Sequence, residues 1–182
     1  MDIDTPSSLL VTGTGSVGQA IAARAAELGH QVTIGTRDVA ATRAGAYAAW
    51  AAEHPGAGLA TLAEAAADAE LVVNATSGTG SLAECIQREF PQAKVVKSLN
   101  TLAAELMVRP RQLADGDHSV FVSGDDAEAK RIVTGLLVSF GHTDVIDLGD
   151  LSTARGTEML MPLWLRLCGR LDTALFNIKV VR

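Results

Sequence analysis

A short apolar run, Leu9 to Thr12, leads directly into Gly13-Thr14-Gly15-Ser16-Val17-Gly18 and from there into an Ala-rich stretch with helical spacing. No other feature of the sequence restricts the fold as much. Glycine at the first position permits a tight turn, at the second it lets backbone approach an anion, and at the third it lets a helix pack closely on the preceding strand. Val17, Ile21 and Ala25 recur near every fourth residue, so a helix over Ser16 to Leu28 has one apolar face, and Gly29 is its stop signal. Gln31 to Ile34 supplies a second strand. The N-terminus of such a helix presents unpaired N–H groups and partial positive charge to a pyrophosphate. Gly13, Thr14, Gly15, Ser16, Val17 and Gly18 are therefore the expected dinucleotide-binding residues.

The alternation of strand and helix continues along the chain. A helix is expected over Asp38 to Ala52, a loop at His54 to Gly58, a weak strand around Leu59 and a short helix through Ala69. Strands Leu71 to Val73 and Lys94 to Val96 follow, with a helix over Ser81 to Phe90 between them. After a break at Arg109-Pro110 come strand Val120 to Ser123, helix Asp126 to Phe140, strand Asp144 to Leu148, helix Ala154 to Leu171 and an extended piece, Phe176 to Val181. This order predicts a Rossmann-like, doubly wound α/β fold with a mainly parallel sheet and helices on both faces. At 182 residues, with no linker, repeat or low-complexity tract, a single dinucleotide-binding domain over residues 1–182 is expected, residues 152–182 forming a helix-and-strand extension.

The end of the second strand selects the dinucleotide. An NAD site places an acid there, about 20 residues beyond the glycines, to hold the ribose hydroxyls. This chain reads Gly35-Thr36-Arg37, a hydroxyl and a guanidinium with no carboxylate to repel a 2′-phosphate. NADP(H) is the expected cofactor, with Thr36 and Arg37 on its 2′-phosphate. Arg43 is read as a solvated helix residue with a second positive charge as the alternative, and Asp38 as a helix N-cap.

Composition narrows the partners. Fifteen Lys+Arg against 21 Asp+Glu give a net charge of -6, so no basic surface for nucleic acid is expected. Cys85 and Cys168 stand far apart, which fits a reducing compartment and offers no metal site. The acidic, polar start and the lack of any apolar run near about 20 residues predict a cytoplasmic protein without a membrane segment.

Three segments resemble one family, the NADP oxidoreductases dependent on coenzyme F420, whose dinucleotide domain is also similar to the reductase domain of the STEAP-type membrane ferric reductases. TGTGSVGQAIAARAAELGHQVTIGTRD, Thr12 to Asp38, is similar to the family's opening through its NADP-phosphate loop. VVKSLNTL, Val95 to Leu102, resembles its fifth-strand motif, and EMLMPLWLRLCG with FNIKVVR, Glu158 to Gly169 and Phe176 to Arg182, its C-terminal helix and closing strand. The chain departs at Leu99, where the family commonly has an aromatic, and at Ala41, where some relatives place a Lys. The resemblance implies NADP binding and hydride transfer to a ring acceptor.

The second substrate of an open parallel sheet sits beyond the carboxyl ends of the strands. Asn74, Ala75 and Thr76 after the fourth strand, and Asn100 and Thr101 after the fifth, supply small polar groups for a nicotinamide. They include no His, Cys or acid, which suits direct hydride transfer between stacked rings better than carbonyl reduction, where a proton donor is needed. Coenzyme F420, FMN or FAD are the candidate ring acceptors. Lys97 is the weak candidate for a proton donor, a strand-end Lys in solvent being the equal alternative; Tyr47 is read as packing, His30 and His54 as turn residues, and His118 and His142 as lying on peripheral loops. The greasy stretch around Met161 and Trp164 reads as a helix packing on the sheet or forming a homodimer through the C-terminal helix. Consistent with the family, Met161 and Trp164 are also candidates for the acceptor's apolar wall. The expected function is an NADPH-dependent oxidoreductase; the rival is a non-catalytic NADPH-binding module that senses redox state. An imine or hydroxyacid reductase is disfavoured, because such enzymes usually need a further C-terminal helical domain.

Overall fold

The computed structural model describes residues 7–75 and 82–182, in two compact units, one within Thr5–Ser77 and the other within Gly78–Arg182. In the first unit β1 (Ser8–Thr12), α1 (Ser16–Glu27), β2 (Gln31–Thr36), α2 (Val39–Ala44), α3 (Tyr47–Glu53), β3 (Gly58–Thr61), α4 (Leu62–Ala67) and β4 (Leu71–Asn74) follow in order. The four strands are parallel and lie side by side as β3-β2-β1-β4, flanked by helices. Leu9, Leu10, Val11, Val32 and Ile34 are buried, as the apolar runs of a covered parallel sheet require. Ile21, Ala22 and Ala25 of α1 are buried too, two of them on the predicted stripe.

The chain moves outward from β1 through β2 to β3, then returns to put β4 on the other side of β1. Strand order thus reverses between β1 and β4, where ligands enter open parallel sheets. The single helix expected over Asp38 to Ala52 is two, α2 and α3. Gly45 separates them in an extended conformation, as suits the residue with the largest helix cost after proline. Asp38 is the N-cap of α2, accepting from the Ala41 N–H at 2.9 Å. Thr61 and Glu64 close a capping box that starts α4.

The second unit contains α5 (Leu82–Glu89), β5 (Val96–Lys97), α6 (Ala104–Val108), β6 (Ser119–Gly124), α7 (Ala127–Phe140), β7 (Asp144–Asp147), α8 (Ala154–Met159) and α9 (Met161–Leu171). Its strands lie in the order β5-β6-β7, with β5 antiparallel and β7 parallel to β6. Asp126 caps the start of α7, and Gly141, at φ 111°, ends it. The expected helix over Ala154 to Leu171 is split at Leu160, one residue before a helix whose first turn holds Pro162; proline there forfeits an N–H that has no partner in any case. Phe176 to Val181 do not form the expected strand. The tail docks on β6 through one residue, Ser119, whose N–H donates to the Ile178 carbonyl and whose Oγ accepts from the Val180 N–H. Among the described residues, no helix is long and apolar enough to cross a membrane.

Candidate functional site

The site of the first unit is assembled by strand register. Thr12, the last residue of β1, pairs with Gly35 of β2 on one side and with Asn74 of β4 on the other. The glycine loop therefore leaves the sheet between Thr36-Arg37 and Asn74-Ala75, at the reversal of strand order. Gly13 has φ 101°, a left-handed value that favours glycine. At Gly18 a Cβ would collide with the Gly13 carbonyl oxygen and lie 3.0 Å from its carbon, so helix and loop touch through hydrogen alone. Gln19 Nε2 donates to the Thr14 carbonyl at 2.9 Å and holds the loop from α1.

Gly15 is different. It is exposed, its φ of -83° suits any residue, and a Cβ on it would meet nothing within 4 Å among the described residues. As N-cap of α1 it makes no side-chain cap bond, and the first turn holds no acid. A helix start without such a cap or acid leaves its first-turn N–H groups, around Ser16 and Val17, suited to an anionic ligand such as a pyrophosphate.

At the end of β2, Gly35 is buried, and a Cβ there would come 2.7 Å from Leu10 Cδ1 and 2.9 Å from Leu62 Cδ2. A side chain added there would require the tips of both leucines to shift. The nearest acid, Asp38, is occupied in capping α2. Thr36 is half-buried, with its Oγ1 2.8 Å from Thr42 Oγ1 and accepting from the Asp38 N–H at 3.4 Å. Arg37 and Arg43 are exposed. Across the loop, Thr12 Oγ1 donates to Asn74 Oδ1 at 3.0 Å, and the Ala75 N–H to the Thr12 carbonyl at 3.0 Å. Thr76 lies outside the described residues. Sequence reasoning passed over Thr12, Gln19 and Thr42; only their spacing from the motif residues could have pointed to them.

The other expected residues belong to the second unit. Asn100 Nδ2 donates to the Thr157 carbonyl at 2.9 Å, and Thr101 is buried. Just before them, Leu99 has φ 56°, an uncommon conformation for a non-glycine residue. Lys97 is half-buried with Glu158, 3.7 Å between Nζ and Oε1, so it is an ion-pair partner instead of a solvent-directed Lys. Trp164 stacks on Phe176 at 5.4 Å between ring centroids, and Met161 is half-buried one turn earlier. Tyr47, in the first unit, is buried, and burial pushes its phenol up, against a smaller opposing effect of Arg43. His118 and His142 are not peripheral: both are buried, with rings 6.1 Å apart.

A solved structure from Arthrobacter sp. FB24, described as a candidate F420-dependent NADP-reductase, is 49% identical to this chain. The match covers 96% of this chain and 99% of that one, with a TM-score of 0.92. The family model described as NADP oxidoreductase, coenzyme F420-dependent, matches residues 9–96. The chain belongs to the coenzyme F420-dependent NADP oxidoreductase family. Two curated relatives of this F420-dependent oxidoreductase family member match just under half of it. The F420-dependent NADP reductase of Methanocaldococcus jannaschii is 31% identical over 88 residues, 48% of this chain and 39% of that protein. Rat metalloreductase STEAP3 is 37% identical over 89 residues, 46% of this chain and 17% of that protein. The chain thus matches well under two thirds of either relative's length. A reductive aminase from Aspergillus terreus, 20% identical with a TM-score of 0.62 over 92% of this chain, shares the fold alone.

Proposed function

We propose that this protein is an NADPH-dependent oxidoreductase that transfers a hydride between NADP(H) and a flavin-like ring, coenzyme F420, FMN or FAD. The observation that carries the reading is the end of β2, where Gly35 brings no carboxylate and Thr36 and Arg37 offer a hydroxyl and a guanidinium. A 2′-phosphate is matched by that pair and a bare ribose diol is not. Gly13, Thr14, Gly15, Ser16, Val17 and Gly18 hold the pyrophosphate in this reading, and Asn74, Ala75 and Thr76 approach the nicotinamide.

NADPH, when bound, supplies the hydride from its nicotinamide ring. The protein's part is to bind and orient: the α1 N-terminus takes the pyrophosphate charge, and the Thr12–Asn74 hydrogen bond fixes the strand-end amide. A transfer between stacked rings needs no protein proton donor in this reading. Exposed Leu163, Leu165 and Leu171 on α9 support a homodimer through that helix as part of the same proposal.

The test is Arg37→Ala, with binding followed by nicotinamide fluorescence. The NADPH dissociation constant should rise about tenfold or more, as for loss of a charge-assisted bond, while that for NADH changes by less than about twofold. Equal effects on both cofactors would remove Arg37 from the phosphate role.

A further inference from the structure

Thr36 has one hydroxyl proton, and what it can offer a ligand depends on where that proton goes. A hydroxyl carries one donor and two acceptor lone pairs. One lone pair of Thr36 Oγ1 already receives the Asp38 N–H at 3.4 Å. The remaining capacity is shared with Thr42 Oγ1 at 2.8 Å, a contact in which either oxygen has the geometry to donate. A phosphate group presents acceptors toward the protein, so it selects between the two directions.

We propose that Thr42 is a positioning and specificity-determining residue for the 2′-phosphate of NADP(H), a step that rests on the cofactor reading above. When Thr42 donates to Thr36, both lone pairs of Thr36 are filled, by Asp38 N–H and Thr42 O–H. Its single proton is then free to point at a phosphate oxygen. With the opposite direction, Thr36 spends its proton on Thr42 and turns a lone pair toward the anion, which repels it. Binding of a 2′-phosphate therefore sets the chain Thr42 to Thr36 to phosphate, in which each hydrogen bond polarises the next. NADH has no group that requires this direction.

The local fold holds Thr42 in place for the task. Its own N–H donates to the Asp38 carbonyl at 3.1 Å, and its carbonyl accepts from the Gly45 N–H at 3.2 Å. Its side chain is half-buried on α2, and β-branching stiffens χ1 at both threonines. The segment from Thr36 to Thr42 is thus closed at both ends by the hydroxyl pair, with the Asp38 cap between them.

The experiment compares wild type, Thr42→Val, Thr42→Ser and Arg37→Ala for binding of NADPH and NADH, with thermal melts alongside. Valine keeps the shape and removes the hydroxyl; Thr42→Ala replaces it should the valine variant fail to fold. The expected result is a rise of about tenfold in the NADPH dissociation constant for Thr42→Val, a much smaller change for NADH, and recovery to within about threefold of wild type in Thr42→Ser. If wild type prefers NADPH, Arg37→Ala removes the preference, and Thr42→Val leaves it intact, the role of Thr42 is overturned and the cofactor reading stands. If wild type binds both cofactors equally, the cofactor reading fails and this proposal fails with it. A parallel loss of NADPH and NADH binding in Thr42→Val, unrescued by serine, would reduce Thr42 to a structural residue.

Discussion

A methyl group added to Gly18 would run into the Gly13 carbonyl oxygen, whereas one added to Gly15 would meet nothing within 4 Å among the described residues. The two glycines of one motif therefore answer to different demands, and substitution separates them. Gly18→Ala overpacks the joint between loop and helix and should cost about 1–3 kcal/mol in urea unfolding. Gly15→Ala sits on ordinary backbone and loses only the modest N-cap advantage of glycine, less than about 1 kcal/mol. Its NADPH affinity should nevertheless fall by about tenfold or more, because the methyl occupies the space the anion needs. Full affinity in Gly15→Ala would show that the loop is not the pyrophosphate seat. At this scale the sequence was informative where a residue's type is itself the constraint: Gly13 and Gly18 in the loop, and Asp38 as a cap. It was silent on Thr42, because a threonine on a short helix looks the same whether its hydroxyl meets Thr36 or water.

Between elements, the joint of α6, α7 and β7 is closed by a buried histidine. His142 follows α7 and its ring nitrogen Nε2 lies 2.9 Å from the Met107 carbonyl of α6, so Nε2 carries the proton and donates. Its Nδ1 is buried without a hydrogen-bond partner among the described residues. Burial drives its pKa from 6.5 down to about 4; the bond to Met107 opposes this, and His118 adds to it. Between those two values the unfolded chain binds a proton that the folded chain refuses, so stability is fully present above about pH 6.5 and falls as the pH drops toward 4. The loss reaches about 2 kcal/mol by pH 5. Urea unfolding at pH 7 and pH 5 should show this loss in wild type and a smaller one in His142→Gln; identical losses would assign the acid sensitivity elsewhere. Sequence spacing placed His142 on a peripheral loop, since nothing local signals that α6, five residues long, covers it. The same blindness to tertiary context made one helix of α8 and α9 and a strand of the tail, which is held by Ser119 side-chain and backbone bonds to Val180 and Ile178.

For the whole molecule, the dinucleotide half was legible because a parallel sheet writes itself as apolar runs and its ligand loop as glycines. The register that sets Thr12 beside both Gly35 and Asn74 then brings together residues far apart in the chain. The second unit was less legible: β5 has two residues, runs antiparallel to β6, and starts two positions later than its apolar pattern suggests. Acceptor chemistry is read from what the strand ends lack as much as from what they hold, and so it is settled by turnover. The protein is mixed with NADPH and, separately, coenzyme F420, FMN or FAD, and the absorbances of nicotinamide and acceptor are followed together. At least one acceptor should be reduced in step with NADPH oxidation, and far more slowly when NADH replaces NADPH. Tight NADPH binding with no reduction of any acceptor would contradict it and leave a non-catalytic NADPH-binding module in its place.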